Sequence, residues 1–315
     1  MNKKLINKII IISGATASGK SSLAFELAKM INGCVINADS MQIYKGLPIL
    51  SAQPSIEEQN TIEHKLYSYL EPNENNSVYI WLKLVEECIK QAFNENKIPI
   101  VVGGTGMYIS RLINGIKELP TIPQDLRNET IQLFEKIGYD EFLNLVKNID
   151  YNAVEKLNKN DKQRLMRIYE LYKISGKNLT YYENVKNDYL FNPEMFFHIN
   201  LSIDRELLYN RCKKRFENII DNIENEVETF LKKYPYISDN KQKYSILSTL
   251  GFREFLDFKN GIISKNDFIE NTIKTTRHYA KRQYTWFRNQ FDKFDYQLLD
   301  VFTKINLENI IKQLS

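Results

Sequence analysis

Gly14-Ala15-Thr16-Ala17-Ser18-Gly19-Lys20-Ser21 follows the apolar run Ile9-Ile10-Ile11-Ile12 and precedes a segment of helical period. The stretch matches G-x-x-x-x-G-K-[ST] in full, and its flanks supply the strand and helix that such a phosphate loop requires. On the helix side Leu23, Leu27 and Ile31 recur at i, i+4 and i+8 with Ala24 and Ala28 beside them, so one face is apolar. Glycines at the turn let backbone N–H groups converge on phosphate oxygens at the positive end of the new helix. Gly14, Ala15, Thr16, Ala17, Ser18, Gly19, Lys20 and Ser21 are therefore the candidate diphosphate-binding residues. Lys20 adds a point charge, and the Ser21 hydroxyl can ligate a magnesium ion. An ordinary glycine turn is the alternative, and the strand and helix on either side argue against it.

Outward from the loop, the first hundred residues alternate in the α/β manner. The pattern predicts strand 8–13, helix 19–31, strand 34–38, an irregular stretch to about 77, helix 78–95 and strand 98–102. Two prolines in Glu118-Leu119-Pro120-Thr121-Ile122-Pro123 mark a boundary, beyond which residues 120–192 are helical in period with no convincing strand. A strand pattern returns at Phe196–Ile203, a helix runs through Arg211 and Arg215, and the tail from about 266 reads as helical. The expected fold is α/β: a P-loop parallel-sheet core with an inserted all-helical lobe. Residues 1–119 form the first part of the core, 120–192 the lobe, and 193–315 complete the core and add a basic helical region.

A chain of 315 residues, 43% of them hydrophobic, can bury one large core or two smaller ones. No apolar run nears the roughly 20 residues of a membrane span. Met1-Asn2-Lys3-Lys4 leads straight into a strand rather than a signal peptide, so a cytoplasmic protein with no membrane partner is expected. Cys34, Cys88 and Cys212 lie far apart with no C-x-x-C, which favours buried thiols over a disulfide framework or a zinc site. The net charge of +4 is modest, yet Asn271–Phe291 alone hold five basic residues and no acid. That is the footprint of a polyanionic partner. Among 32 lysines isolated cases mean little, whereas the 11 arginines cluster: Arg164 with Arg167, Arg211 with Arg215, and Arg277 with Arg282 and Arg288.

Further segments carry chemistry. Asp39 follows the second strand in Ile36-Asn37-Ala38-Asp39-Ser40-Met41-Gln42, and ligands of open parallel sheets bind beyond the strands' carboxyl ends. It reads as a general base or as a second-shell magnesium partner, against a helix cap or solvated loop acid. After the next strand, Gly103-Gly104-Thr105-Gly106 opens another helix in the same crevice; the glycines permit close approach and Thr105 supplies a hydroxyl. On its own this is a plain strand-to-helix turn, and paired with Asp39 it becomes the opposite wall of a pocket. Arg164 and Arg167 stand at i, i+3 on a helix whose apolar face is Leu165, Ile168, Tyr169 and Tyr172, so they project together, as a solvated face or a polyanion contact. Helical spacing also gathers Arg277, Lys281, Tyr284 and Arg288 on one face, with Tyr279, Gln283, Trp286 and Phe287 on the next. Packing accounts for Trp286 and Phe287, and the uninterrupted positive charge favours phosphate-backbone contact.

Together these segments resemble the bacterial tRNA dimethylallyltransferase (IPP transferase) family, whose members prenylate the exocyclic amine of the adenosine next to the anticodon. The resemblance runs nearly end to end. It rests on Gly14–Ser21, Asp39-Ser40-Met41-Gln42-Ile43-Tyr44, Val102–Tyr108, Asn160-Asp161-Lys162-Gln163-Arg164-Leu165-Met166-Arg167, Leu250-Gly251-Phe252-Arg253 and Thr276–Arg288. It implies that Thr16–Ser21 bind dimethylallyl diphosphate, that Asp39 is the general base, and that Thr105 and Arg215 lie at the reaction centre. It further implies tRNA contact by Asp39, Ser40, Met41, Gln42, Thr105, Gln163, Arg164, Leu165, Met166, Arg167, Gly251, Phe252 and Arg253, to which the basic face adds Arg277, Lys281 and Arg282. Implied companions are Mg2+, a tRNA anticodon stem-loop and a monomeric state, with tRNAs reading codons that begin with U as the usual targets.

The chain departs from the family pattern in places. Ala15 stands where proline is common, which should only loosen the turn. Leu50-Ser51-Ala52-Gln53-Pro54 replaces the usual Gly-Thr-Ala-Lys-Pro, so the lysine's substrate contact does not carry to Gln53. Glu63-His64 replaces a His pair, and Ser248-Thr249 lack a basic residue sometimes found there. Three rivals remain. An ATP-dependent small-molecule kinase shares the loop but has no use for a basic C-terminal face. A prenyltransferase of free adenine nucleotides needs neither the lobe nor the 271–291 cluster. A non-enzymatic RNA-binding module has no need of a complete phosphate loop with Asp39.

Overall fold

The computed structural model describes residues 7–238, 244–300 and 302–314. Met1–Lys4, read above as leading into a strand, lie outside the described residues. Among those described, six strands form one sheet: β1 (Ile9–Gly14), β2 (Gly33–Asn37), β3 (His64–Lys65), β4 (Ile98–Gly103), β5 (Phe196–Leu201) and β6 (Tyr296–Leu298). Their order is β3-β2-β4-β1-β5-β6, and every pairing is parallel. β1 is central, and all four isoleucines of its apolar run are fully buried. A continuous apolar run suits a parallel strand covered on both faces, and an alternating one would not.

The helices in chain order are α1 (Lys20–Ile31), α2 (Pro48–Ser51), α3 (Ile56–Thr61), α4 (Val78–Asn94), α5 (Gly106–Asn114), α6 (Gln124–Ile149), α7 (Tyr151–Glu155), α8 (Lys162–Ser175), α9 (Leu179–Glu183), α10 (Arg205–Lys233), α11 (Phe252–Lys259), α12 (Lys265–Gln290) and α13 (Lys304–Leu314). α1 buries Leu23, Ala24, Leu27, Ala28 and Ile31, the face read from their spacing, against Ile10, Ile12, Ile100 and Val102 of the sheet. A second apolar cluster joins the 43–50 segment to α10, α11 and α12 through Ile43, Leu47, Phe216, Phe230, Phe252 and Phe268.

Two features correct the sequence expectation. The irregular stretch to 77 contains α2, α3 and the two-residue β3, and the helical tail is interrupted by the three-residue β6. Both strands are edges too short to show a period of 2. β6 is anchored by buried Leu298 and by the Asp295 carboxylate, which accepts from the His198 amide at 2.7 Å.

The chain divides into two compact units, Met1–Ile113 with Leu190–Ser315, and Asn114–Tyr189. The second unit was placed at 120–192 from its prolines. Its ends meet instead through an antiparallel bridge between Ile116 and Asp188 and a bond from Asn187 Nδ2 to Asn114 O at 2.7 Å. Inside it, Phe142, Val146, Ala153, Val154, Leu165 and Ile168 form a small core. Asp150 holds α7 and α9 together: its carboxylate caps Ala153 N at 3.1 Å and accepts from Thr180 N at 2.7 Å and Thr180 Oγ1 at 2.6 Å. α6 breaks at Gly138, whose φ of 78° is a conformation that glycine adopts without steric cost.

Candidate active site

Three turns at the carboxyl ends of β1, β2 and β4 converge with one face of α10. They line a cavity of about 320 Å³ that includes Thr16, Ala17, Lys20, Ser21, Asp39, Gln42, Tyr67, Gly103, Arg211 and Arg215. This is the crevice in which open parallel sheets bind ligands, next to a strand that the chain skips and later fills.

The loop from Gly14 to Ser21 wraps the start of α1. Ala17 has φ 62° although it carries a side chain, and its neighbours bracket it: Ser18 N donates to Ala15 O at 3.2 Å and Lys20 Nζ donates to the same oxygen at 2.6 Å. Lys20 thus folds back over its own loop. Burial lowers its pKa to about 8, with the charge of Asp39 pulling it up and that of Arg215 pushing it down. Arg215 is also held below the usual arginine range, mainly by burial. Two partly buried cations beside a single carboxylate favour an anionic partner, because burial disfavours unpaired charge. Ser18 Oγ and Arg211 Nη1 are buried without hydrogen-bond partners, and both are suited to a ligand oxygen or other acceptor.

Asp39 is fixed by its own turn. Its Oδ1 accepts from Met41 N at 2.9 Å, and its backbone N donates to Asn37 Oδ1 at 2.8 Å. Such an Asx turn holds one carboxylate oxygen while the residue faces the cavity. Thr105 stands behind it and is absent from the cavity wall. Its Oγ1 accepts from Ser40 N at 2.9 Å, its N donates to Ala38 O at 3.2 Å, and so it braces the turn that carries Asp39. Gln42 reaches the wall and is pinned there, its Nε2 donating to Ser51 O and Ala52 O at 3.0 and 2.8 Å. Gln53, where the family shows lysine, is structural here. Its Nε2 donates to Tyr44 O at 3.0 Å, and its Oε1 accepts from Ser68 Oγ at 2.6 Å.

The remaining sequence-derived residues fall into several settings. Met41 packs against the apolar cluster of α10 to α12, and its sulfur accepts from Thr249 Oγ1 at 3.8 Å. Phe252 is fully buried in that cluster and Arg253 is exposed. Gly251, at the start of α11, has φ 90°, which strains any side-chain-bearing residue, and a Cβ there would sit tightly at 3.0 Å from Thr272 and 3.3 Å from Leu50. In the helical unit Gln163 is exposed, Leu165 is buried in the core and Met166 packs against it. Arg164 and Arg167 do not project together. Arg164 leans on Asp161 at 3.4 Å and is 69% exposed, whereas Arg167 is half-buried with Nη2 donating to Pro120 O at 3.5 Å. The apolar face of α8 also shifts, since Leu171 is fully buried and Tyr172 is exposed, the side chain without a hydroxyl taking the interior. On α12, Lys281 and Arg282 are exposed, and Arg277 is partly buried with its guanidinium 5.7 Å from the centre of the Tyr209 ring.

Sequence reasoning missed three groups. Arg211 was seen only as a neighbour of Arg215; the i, i+4 spacing that brings both to one face of α10 was the available signal. Tyr67 carried no signal, and Gln283, grouped with Trp286 by helical spacing, gave no sign that its amide joins two of the three turns. Among the described residues no three His, Cys, Asp or Glu side chains gather to hold a metal.

A family profile described as IPP transferase matches residues 42–290, and one described as isopentenyl transferase matches 7–74. The chain belongs to the tRNA dimethylallyltransferase (IPP transferase) family. It is 37% identical to the tRNA dimethylallyltransferase of Rickettsia canadensis (strain McKiel), over 99% of this chain and 97% of that protein. It is 36% identical to the one of Rickettsia conorii, over 99% of this chain and 85% of that protein. Among solved structures, the full-length tRNA isopentenylpyrophosphate transferase of Bacillus halodurans superposes with TM-score 0.67 at 26% identity, covering 98% of this chain and 97% of that one. A eukaryotic dimethylallyltransferase acting on tRNA superposes with TM-score 0.80 at 29% identity, covering 95% and 75%. The likeness to these relatives runs along nearly the whole length of this chain.

Proposed function

We propose that this enzyme transfers a dimethylallyl group from dimethylallyl diphosphate to N6 of adenosine 37, next to the anticodon of tRNA, releasing diphosphate. The observation that carries the reading is one cavity lined by a phosphate loop, two partly buried cations and a carboxylate. Family membership supplies the substrate class. Adenine N6 is a weak nucleophile because its lone pair is delocalised into the ring, so the partner must be an electrophile able to bear positive charge. In an allylic diphosphate the C1–O bond breaks and its electron pair leaves on the diphosphate oxygen. Lys20, Arg215, Arg211 and the loop amides face that growing charge, a stabilisation concentrated in the transition state. The N6 lone pair forms the new bond to C1, and the N6 proton passes to the Asp39 carboxylate.

Magnesium fits the site. This ion takes one or two protein ligands and fills its shell with water and phosphate oxygens. Ser21 would hold it from the cavity wall, and when bound it would supply further counter-charge to the diphosphate. For the RNA, Gln163, Arg164 and Arg167 of the helical unit and Arg277, Lys281 and Arg282 of α12 are the proposed backbone contacts. Flipping an adenine from a single-stranded loop costs only a few kcal/mol, which such contacts offset. Among the described residues no helix is long and apolar enough to cross a membrane, and the reading places the enzyme in the cytoplasm as a monomer.

Incubation with labelled dimethylallyl diphosphate and either tRNA or AMP decides between this reading and its rivals. Label in tRNA alone supports it, label in AMP makes the enzyme a nucleotide prenyltransferase, and ATP turnover without transfer makes it a kinase.

A further inference from the structure

Gln283 lies within the basic stretch of α12, yet it is only 5% exposed. A buried amide without partners costs about 1–3 kcal/mol, so the groups such a side chain binds are informative. Gln283 binds the backbone of two different turns of the site. Its Oε1 accepts from Thr16 N at 2.7 Å, and its Nε2 donates to Gly104 O at 2.9 Å. The hydroxyl of Thr16 accepts in turn from Arg215 Nη1 at 2.9 Å. The fit has no slack: a Cβ on Gly104 would lie 2.2 Å from Gln283 Nε2, and one on Gly106 would lie 2.1 Å from Trp286 Cε3. Two side chains one helical turn apart thus seat α12 on the glycine turn after β4.

We propose that Gln283 is a positioning residue for the diphosphate, acting through Thr16 and Arg215 and not as part of the RNA-facing surface of α12. By committing the Thr16 amide it fixes that residue's rotation, so that the Thr16 hydroxyl holds the Arg215 guanidinium against the cavity. The same amide sets the separation of the phosphate loop from the Gly103–Thr105 turn that braces Asp39. With Gln283 gone, the Thr16 amide is free to turn and the Arg215 contact goes with it. Preorganisation of the leaving-group side is thereby lost, while the exposed cations of α12 stay in place.

The test uses the full chain and inorganic pyrophosphate as the probe, so it stands apart from the RNA reading. The turnover arm alone rests on the prenyl-transfer proposal. Gln283→Ala should weaken pyrophosphate binding about tenfold, the scale of one or two lost buried hydrogen bonds. It should lower kcat and leave tRNA affinity within about twofold. Gln283→Glu keeps the volume and an acceptor for Thr16, but it sets carboxylate oxygen against Gly104 O and adds negative charge beside the diphosphate. It should therefore bind pyrophosphate more weakly than the alanine variant. A merely structural role shows instead as a loss of thermal stability in both variants, with the pyrophosphate affinity of the folded protein unchanged. Wild-type pyrophosphate affinity in both variants, or a loss of tRNA affinity alone, overturns the proposal. Failure of the wild-type enzyme to prenylate tRNA would instead defeat the functional reading and leave the pyrophosphate comparison to decide the role of Gln283.

Discussion

The α/β unit and the helical unit hold their charged groups in opposite ways. In the first, Lys20 and Arg215 are partly buried in the cavity wall, and Asp39 is locked by backbone and side-chain bonds within its own turn. In the second, Arg164 is solvated beside Asp161 and Lys156 pairs with Glu183 at the surface, while the buried Asp150 carboxylate is spent on capping α7 and accepting from Thr180. Chemistry on a diphosphate needs charges preorganised where water cannot screen them. Contact with an RNA backbone works through solvated charges that exchange one set of counterions for another.

The largest break of this contrast is Asp39→Asn. Turnover should fall by about 10²–10⁴ with pyrophosphate affinity nearly unchanged, read by single-turnover transfer and by titration. Weak pyrophosphate binding that added magnesium restores would recast Asp39 as a metal partner. Phe142→Ala comes next. Removing a fully buried ring from the helical unit's core should cost about 3–5 kcal/mol there. Hydrogen exchange should speed up across α6 to α9 while pyrophosphate affinity holds. An equal loss of pyrophosphate binding would mean that the two units are not separately stable.

A subtler effect follows from Lys20. Its free-enzyme pKa is lowered to about 8 by burial, and a bound diphosphate favours the charged form. Binding above pH ~8 must therefore take up a proton, whereas below it the lysine is already charged. Pyrophosphate affinity should be steady below pH ~8 and weaken above it by up to about tenfold per pH unit, beyond any change intrinsic to pyrophosphate. The Lys20→Met variant, weak throughout, should lack that break. A break of equal size in the methionine variant would remove Lys20 from the account. Smallest is Arg164→Ala, expected to reduce the salt slope of tRNA binding by about 0.7–0.9. A slope that stays put assigns Arg164 to its pair with Asp161 alone.

What was legible in the sequence was what repeats. The β1 run and the α1 face are periodic, and the phosphate loop has a fixed spacing, so their positions followed directly. β3 and β6 have two and three residues, too few for a period, and become strands only because β2 and β5 offer them an edge. Tyr172 was taken for core because helical spacing cannot separate positions 171 and 172, and the fully apolar residue took the interior. Gln283 was unreadable for a different reason: its partners lie 267 and 179 residues away, and nothing local to α12 reports them.

The glycine turn after β4 also bears on how the chain matures. The space beside Gly103 is filled by Ala38 O, 2.1 Å from where a Cβ would lie, and the spaces beside Gly104 and Gly106 by side chains from α12. The turn after β4 is thus backed by a segment late in the sequence. Contacts of such long sequence separation form late, because the loop they close must first lose its freedom. A nascent chain halted before Gln283 holds five of the six strands and the phosphate loop but not the clamp between that loop and the turn after β4. The support of the phosphate loop by Gln283 is therefore expected to be complete only after most of α12 has left the ribosome.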